Sequence, residues 1–292
     1  MKNILLTCFF SILLVNAYCQ NGHGIDTALK FNKRFTNCEL KWVVLPARDT
    51  SARYYYGFIY IDEMAGFTLD VKGFFTIDMN GHYIADTSIT KHGMIKSRLG
   101  ANTVNVALLP LNHFKEINIQ IRPKWVDLYY SGRNDTSTFY NYRMGFNYNA
   151  AGDSQTAMTY LTKAYKVNPH FKGLEFEVAY AYNALNRPDE AITVLEIAVK
   201  YDPKNIMFYR ELGYAYMNKK DYDKAIVLFK QGIDLYPDPQ AINENKAMMA
   251  YNLASVYHKI GKDDDYKEWL IKAKGWASPN SDIYKAAVRL GF

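Results

Sequence analysis

Cysteine is scarce in this 292-residue chain: Cys8, Cys19 and Cys38 are the three present. No disulfide framework can be built from them, so stability must come from a buried core, which 49% hydrophobic residues can supply. One-sided charge is missing too. Lys and Arg number 35 against 29 Asp and Glu, and the surplus is spread: 14 against 11 in residues 20–137 and 20 against 18 in residues 138–292. No segment forms a phosphate-tracking surface, and no nucleic-acid partner is expected. Signatures of turnover are absent as well, with no HExxH, no GxSxG, no Gly-rich phosphate loop after a strand and no CxxC pair. The leading reading is of a non-catalytic chain, with no catalytic residue, cofactor or metal site expected; the alternative is an enzyme whose site lies in residues 20–137, with the second half of the chain recruiting its substrate.

Long apolar runs are confined to the amino terminus. Lys2 precedes an apolar stretch from Ile4 to Val15, followed by small and polar residues. A membrane-spanning helix needs about 20 apolar residues. This shorter stretch reads as a secretory signal over residues 1–19, cleaved after Ala17 or after Cys19, so the protein is expected to be exported, either periplasmic or secreted. Lipid anchoring at Cys19 is disfavoured, because Tyr18 stands where a bacterial lipobox has a small residue. With Cys8 and Cys19 in the leader, Cys38 reads as a small buried hydrophobe.

What the chain has in excess is aromatic side chains, 15% of residues with 25 Tyr. A buried Tyr hydroxyl wants a partner, so this many tyrosines predict aromatic surfaces used for recognition.

The second half repeats itself. Pro169, Pro203 and Pro237 close the strings KVNP, KYDP and DLYP at intervals of 34 residues. In a register starting at residues 138, 172 and 206, small residues recur at the eighth position (Gly145, Ala179, Gly213), the twentieth (Ala157, Ala191, Ala225) and the twenty-seventh (Ala164, Ala198, Gly232). Large ones recur at the eleventh (Tyr148, Tyr182, Tyr216) and twenty-fourth (Leu161, Leu195, Phe229). Small residues let two antiparallel helices approach closely while the large ones fill the space between them. Asp153, Pro188 and Asp221 mark the starts of second helices.

This pattern resembles the tetratricopeptide repeat, a helix-turn-helix unit. The units run at about 138–171, 172–205, 206–239 and, after an insertion, 247–280, with a capping helix at 281–291. In the fourth unit Tyr266 replaces the small twentieth residue, which predicts altered helix spacing there. The resemblance implies an all-α solenoid whose first helices line a concave groove, and the fifth, ninth and twelfth positions of each unit would touch a protein or peptide partner. Those positions are Tyr142, Phe146 and Asn149; Phe176, Tyr180 and Asn183; Arg210, Tyr214 and Met217; and Tyr251, Ser255 and His258. The family's carboxylate clamp, with Lys and Asn at the fifth and ninth positions, is not matched. An aromatic groove with polar spacers suits an extended peptide instead.

Residues 20–137 change period and resemble no family. A short helix is expected over Thr27–Phe35, then strands over Leu40–Leu45, Arg53–Ile61, Phe67–Phe75, His82–Ala85 and Thr103–Leu109. Asn80-Gly81 reads as a two-residue hairpin turn, Pro123–Tyr130 as a segment seating this domain on the first repeat, and Ser131–Asp135 as a hinge. The fold class is thus α+β, a small mixed or mainly β domain followed by an all-α solenoid. Tyr54, Tyr56, Phe58 and Tyr60 share one strand side, giving either a doubly buried central strand or an exposed ring platform that could hold a glycan. Asp78, His82, Asp86 and His92 read as turn residues rather than a metal site, Asp263–Asp265 as a helix start, and His23, His113 and His170 as surface or cap positions. Asn134-Asp135-Thr136 matches a glycosylation acceptor for a eukaryotic source.

Overall fold

The computed structural model describes residue 24 and residues 26–47, 53–91, 93–131 and 136–292. The leader with Cys8 and Cys19, His23, His92, Gly132 to Asp135 of the expected hinge, and Asn134 and Asp135 of the glycosylation motif lie outside the described residues. The chain divides into two compact units, Met1–Arg133 and Asn134–Phe292.

The first unit is built on an antiparallel sheet of β1 (Lys41–Val44), β2 (Tyr54–Asp62), β3 (Gly66–Ile77), β4 (Tyr83–Asp86), β5 (Ile95–Arg98) and β6 (Ala107–Leu108), in the order β4-β3-β2-β1-β6, with β5 also pairing β3. The long β2 and β3 run side by side from Tyr54↔Phe75 to Asp62↔Gly66. Both faces of β2 are buried: Tyr56, Phe58 and Tyr60 on one, Ile59 and Ile61 on the other. That is why β2 reads as a near-continuous apolar run instead of a clean alternation. The ring platform does not form, because Tyr56 and Tyr60 have no exposed surface and Tyr54 stacks on Phe75 at 5.4 Å. The glycan reading of this strand is therefore corrected.

Other local expectations change as well. In place of a helix at Thr27–Phe35 the chain makes a bridge, Lys33↔Val106, and a 3-10 turn at Phe35–Cys38 that lays Phe35 edge-on against Phe67 at 5.4 Å. The β3–β4 hairpin closes between Asp78 and His82 through a bond from the Asp78 amide to the His82 carbonyl, leaving three residues in the loop with Gly81 at φ 84°. Asp78 Oδ1 also accepts the amides of Asn80 and His82, so the acid organises a three-residue loop where two residues were expected. Helix α1 (Lys124–Tyr130) packs back onto its own sheet: Trp125 meets Tyr60 at 4.9 Å and the Tyr130 hydroxyl accepts the Ile61 amide. Trp125 and Val126 belong to the same apolar cluster as Trp42, Phe58 and Phe75.

The second unit is helical: α2 (Thr138–Ala150), α3 (Ser154–Val167), α4 (Leu174–Ala184), α5 (Pro188–Tyr201), α6 (Ile206–Asn218), α7 (Tyr222–Asp234), α8 (Glu244–Lys259), α9 (Asp263–Trp276) and α10 (Asp282–Arg289). Starts are capped by side chains of Ser137, Asp153, Asn205, Asp221, Asn243 and Ser281, each accepting an amide of the first turn. Pro188 opens α5 where its missing N–H is harmless. The small eighth position is a steric need: a Cβ on Gly145 would lie 2.4 Å from Leu161 Cδ2, and one on Gly213 would lie 2.7 Å from Phe229 Cε1. Within the fourth unit Tyr266 is accommodated at the chain end, edge-on to Phe292 at 6.2 Å, while Leu253, Leu270 and Ala273 stay buried. The fold is α+β, a six-stranded sheet followed by a helical solenoid.

Candidate partner-binding groove

The first helices α2, α4, α6 and α8 supply the residues at issue. Between Tyr180 of α4, Arg210, Glu211 and Tyr214 of α6, and Met248 and Asn252 of α8 lies a cleft of about 320 Å³. Tyr180 and Tyr214 keep 38% and 37% of their surface exposed, large for rings in a folded domain. Phe176 lies 6.2 Å from Tyr180, and the Arg210 guanidinium sits 5.2 Å above the Phe176 ring. Tyr142 and Phe146 form a second, half-buried ring pair at 6.5 Å.

The polar residues behave differently from expectation. Asn149 and Asn183 are buried, and their amide groups are engaged inside the wall. Asn149 Nδ2 donates to the carbonyl and to Oε2 of Glu177 at 3.0 and 2.8 Å, and Asn183 Nδ2 does the same to Glu211 at 3.1 Å each. Their Oδ1 atoms are sealed and unpartnered. Their Nδ2 atoms brace successive repeats, and Asn183 also lines the cleft. Met217 and Tyr251 are half-buried and pack on the helical core. Ser255 donates its hydroxyl to the Tyr251 carbonyl, and His258 is exposed and tilts toward Tyr266 at 4.8 Å.

Two carboxylates missed in the sequence stand on this wall. Glu177 and Glu211, each 6% exposed, occupy the sixth position of consecutive repeats, and Asn149 and Asn183 occupy the twelfth position of the repeat before. The signal was there as an Asn and a Glu 28 residues apart, twice, in an apolar register. Arg210 engages Glu211 Oε1 through Nε and Nη2 at 3.0 and 2.9 Å, and Nη1 bonds Asn245. Among the described residues Glu177 has no such paired cation. Burial, reinforced by the charge of Glu211 and opposed by the Asn149 bond and the more distant Arg210, pushes its carboxyl up to about 7.

Outside the groove, several expected turn residues have specific partners. Asp78 and His82 meet at 3.3 Å, whereas Asp86 turns to Arg53 and Ser88 and joins no cluster with them. His113 is buried, not a surface position: it stacks on Tyr83 at 3.8 Å with Nδ1 2.8 Å from Glu116 and Nε2 3.5 Å from Asp26. His170 likewise stacks on Tyr201 at 3.8 Å and meets Glu175 at 2.8 Å.

Antiparallel helix pairs crossing at small residues and recurring every 34 residues define a helical-repeat protein. The model of the tetratricopeptide repeat matches residues 176–238. The chain is similar to the solved structure of MamA, residue 41 to the end, from Desulfovibrio magneticus RS-1, at 20% identity over 52% of this chain and 82% of that one, with a TM-score of 0.44. It is also similar to TTC0263, a thermophilic tetratricopeptide-repeat protein of Thermus thermophilus, at 21% identity over 56% of this chain and 93% of that one, with a TM-score of 0.46. No curated protein matches the chain. Among the described residues no helix is long and apolar enough to cross a membrane.

Proposed function

We propose that this protein is an exported, non-catalytic scaffold that holds a protein or peptide partner in the groove of its repeats. The observation that carries the reading is the cleft between α4, α6 and α8, where Tyr180 and Tyr214 leave over a third of their surface to solvent. Partly exposed rings beside amide and guanidinium donors supply contact area at low entropic cost, as peptide-binding surfaces require. Export rests on the leader over residues 1–19, and a mature amino terminus at or near Gln20 in protein from the source organism is its test.

The groove reading is tested by selecting a phage-displayed nonapeptide library on the full chain and on a Tyr180→Ala plus Tyr214→Ala variant. A consensus that binds the native chain and is lost by the folded variant is the expected result. Equal binding to both moves the partner site elsewhere.

A further inference from the structure

Beside α2, whose Arg143 neighbours Tyr142, the helices α4 and α6 bring the buried carboxylates Glu177 and Glu211 to the guanidinium of Arg210. That guanidinium is held by Glu211 and Asn245. Glu177 has no salt bridge among the described residues. Its Oε2 takes the Asn149 amide, whereas its Oε1 has no donor among them and is not one of the unpartnered oxygens sealed from solvent. Two rings are in electrostatic reach of this carboxylate. Burial raises the phenols of Tyr142 on α2 and Tyr180 on α4, and the charge of Glu177 adds to both. A carboxyl group 94% withdrawn from water, with one oxygen that has no donor and no paired cation among the described residues, is a group that an incoming cation would hold in its charged form.

We propose that Glu177 receives the cationic side chain, Lys or Arg, of an extended peptide lying in the groove. The proposal rests on the groove reading above and adds the charge of the partner. It is the opposite selectivity to a clamp for acidic chain ends, and it assigns the groove a register. The cation falls at Glu177, and apolar partner side chains continue toward Tyr214 and Met248.

The same nonapeptide selection, run on the native chain and on Glu177→Gln, tests it. Gln keeps an acceptor for Asn149 and the side-chain volume, and circular dichroism checks that the helices persist. The expected result is Lys or Arg enriched at one fixed position on the native chain and not on Glu177→Gln. A synthetic copy of the selected peptide then closes the test without relying on the variant's folding. Replacing its Lys or Arg by norleucine should weaken binding to the native chain by about tenfold, the scale of one charge-assisted hydrogen bond. The same replacement should change binding to Glu177→Gln by less than about twofold. A groove-dependent consensus with no cation, or a norleucine effect equal on both proteins, overturns the proposal and leaves the groove reading standing. Absence of any Tyr180/Tyr214-dependent consensus overturns both.

Discussion

Asn149 on α2 donates one amide group to both the backbone carbonyl and the carboxylate of Glu177 on α4, and Asn183 repeats the arrangement on Glu211 one repeat later. The brace does not recur at the next junction, where Met217 and Asn252 occupy the corresponding places. There the bond from Arg210 to Asn245 and the buried Lys246 take over. Lys246 donates to the carbonyls of Asp238 and Pro239, lies 4.1 Å from the Trp276 ring centroid, and thereby folds the inserted residues onto α9.

The raised carboxyl of Glu177 makes stability fall as pH rises. Its folded value is about 7 against 4.5 for the ordinary group, so between these values the folded chain holds a proton that the unfolded chain releases. Stability contributed by the protonated form is present below pH 4.5 and lost progressively up to pH 7, by about 3 kcal/mol in total. Urea melts followed at 222 nm should show the midpoint falling from pH 5 to 7.5 in the native chain. The fall should be clearly flatter in Glu177→Gln; parallel curves would remove Glu177 as the cause.

Gly213→Ala should destabilise the helical unit even though Ala is the better helix former. The added Cβ meets the fully buried Phe229 ring, which cannot retreat without disturbing its neighbours. Overpacking of this kind costs about 1–3 kcal/mol, more than the gain of up to about 1 kcal/mol from helix propensity. Chemical denaturation should therefore give a net loss of about 1–2 kcal/mol, and a gain would mean that the crossing of α6 and α7 is looser than the contact distance implies.

The repeat register was legible because its cause is local and steric: Gly145 and Gly213 recur where two helices must touch, so period and packing carry the same information. β2 and β3 were legible in the same way, as long runs of rings and branched residues. β5 was not, since Ile95, Lys96, Ser97 and Arg98 are all exposed and show no buried alternation. The direction of Asn149 and Asn183 was not readable either. Both hold the expected helical position, but their acceptors lie 28 residues further on, and nothing in one repeat says that an amide turns to the next repeat.

Lys246→Met should loosen the insertion more than the solenoid. Without the ammonium, the Asp238 carbonyl loses its donor, while Trp276 Nε1 still reaches the Pro239 carbonyl at 2.7 Å. Limited proteolysis should cut faster between residues 238 and 243 with the melting transition of the helices displaced only slightly. An unchanged cleavage rate would mean that Trp276 alone holds the loop.

Tyr83→Phe probes the first unit. The Tyr83 hydroxyl donates to Asp26 Oδ2 at 2.6 Å, and its ring is stacked between Phe75 and His113. Phe keeps the stack and removes the bond, which should cost about 1–2 kcal/mol. The loss should vanish in an Asp26→Asn, Tyr83→Phe cycle if the pair acts as one interaction, and additive losses would show that it does not.

Cys38 ends the 3-10 turn with 1% of its surface exposed, and burial pushes its thiol up. A thiol so placed is inert until the strands around it part, and it belongs to the sheet unit, so its alkylation times the opening of that unit without any signal from the helices. The chain thus carries a built-in clock: labelling at Cys38 reads the sheet and ellipticity reads the solenoid, and comparing their rates tells whether partner capture in the repeats is felt by the strands.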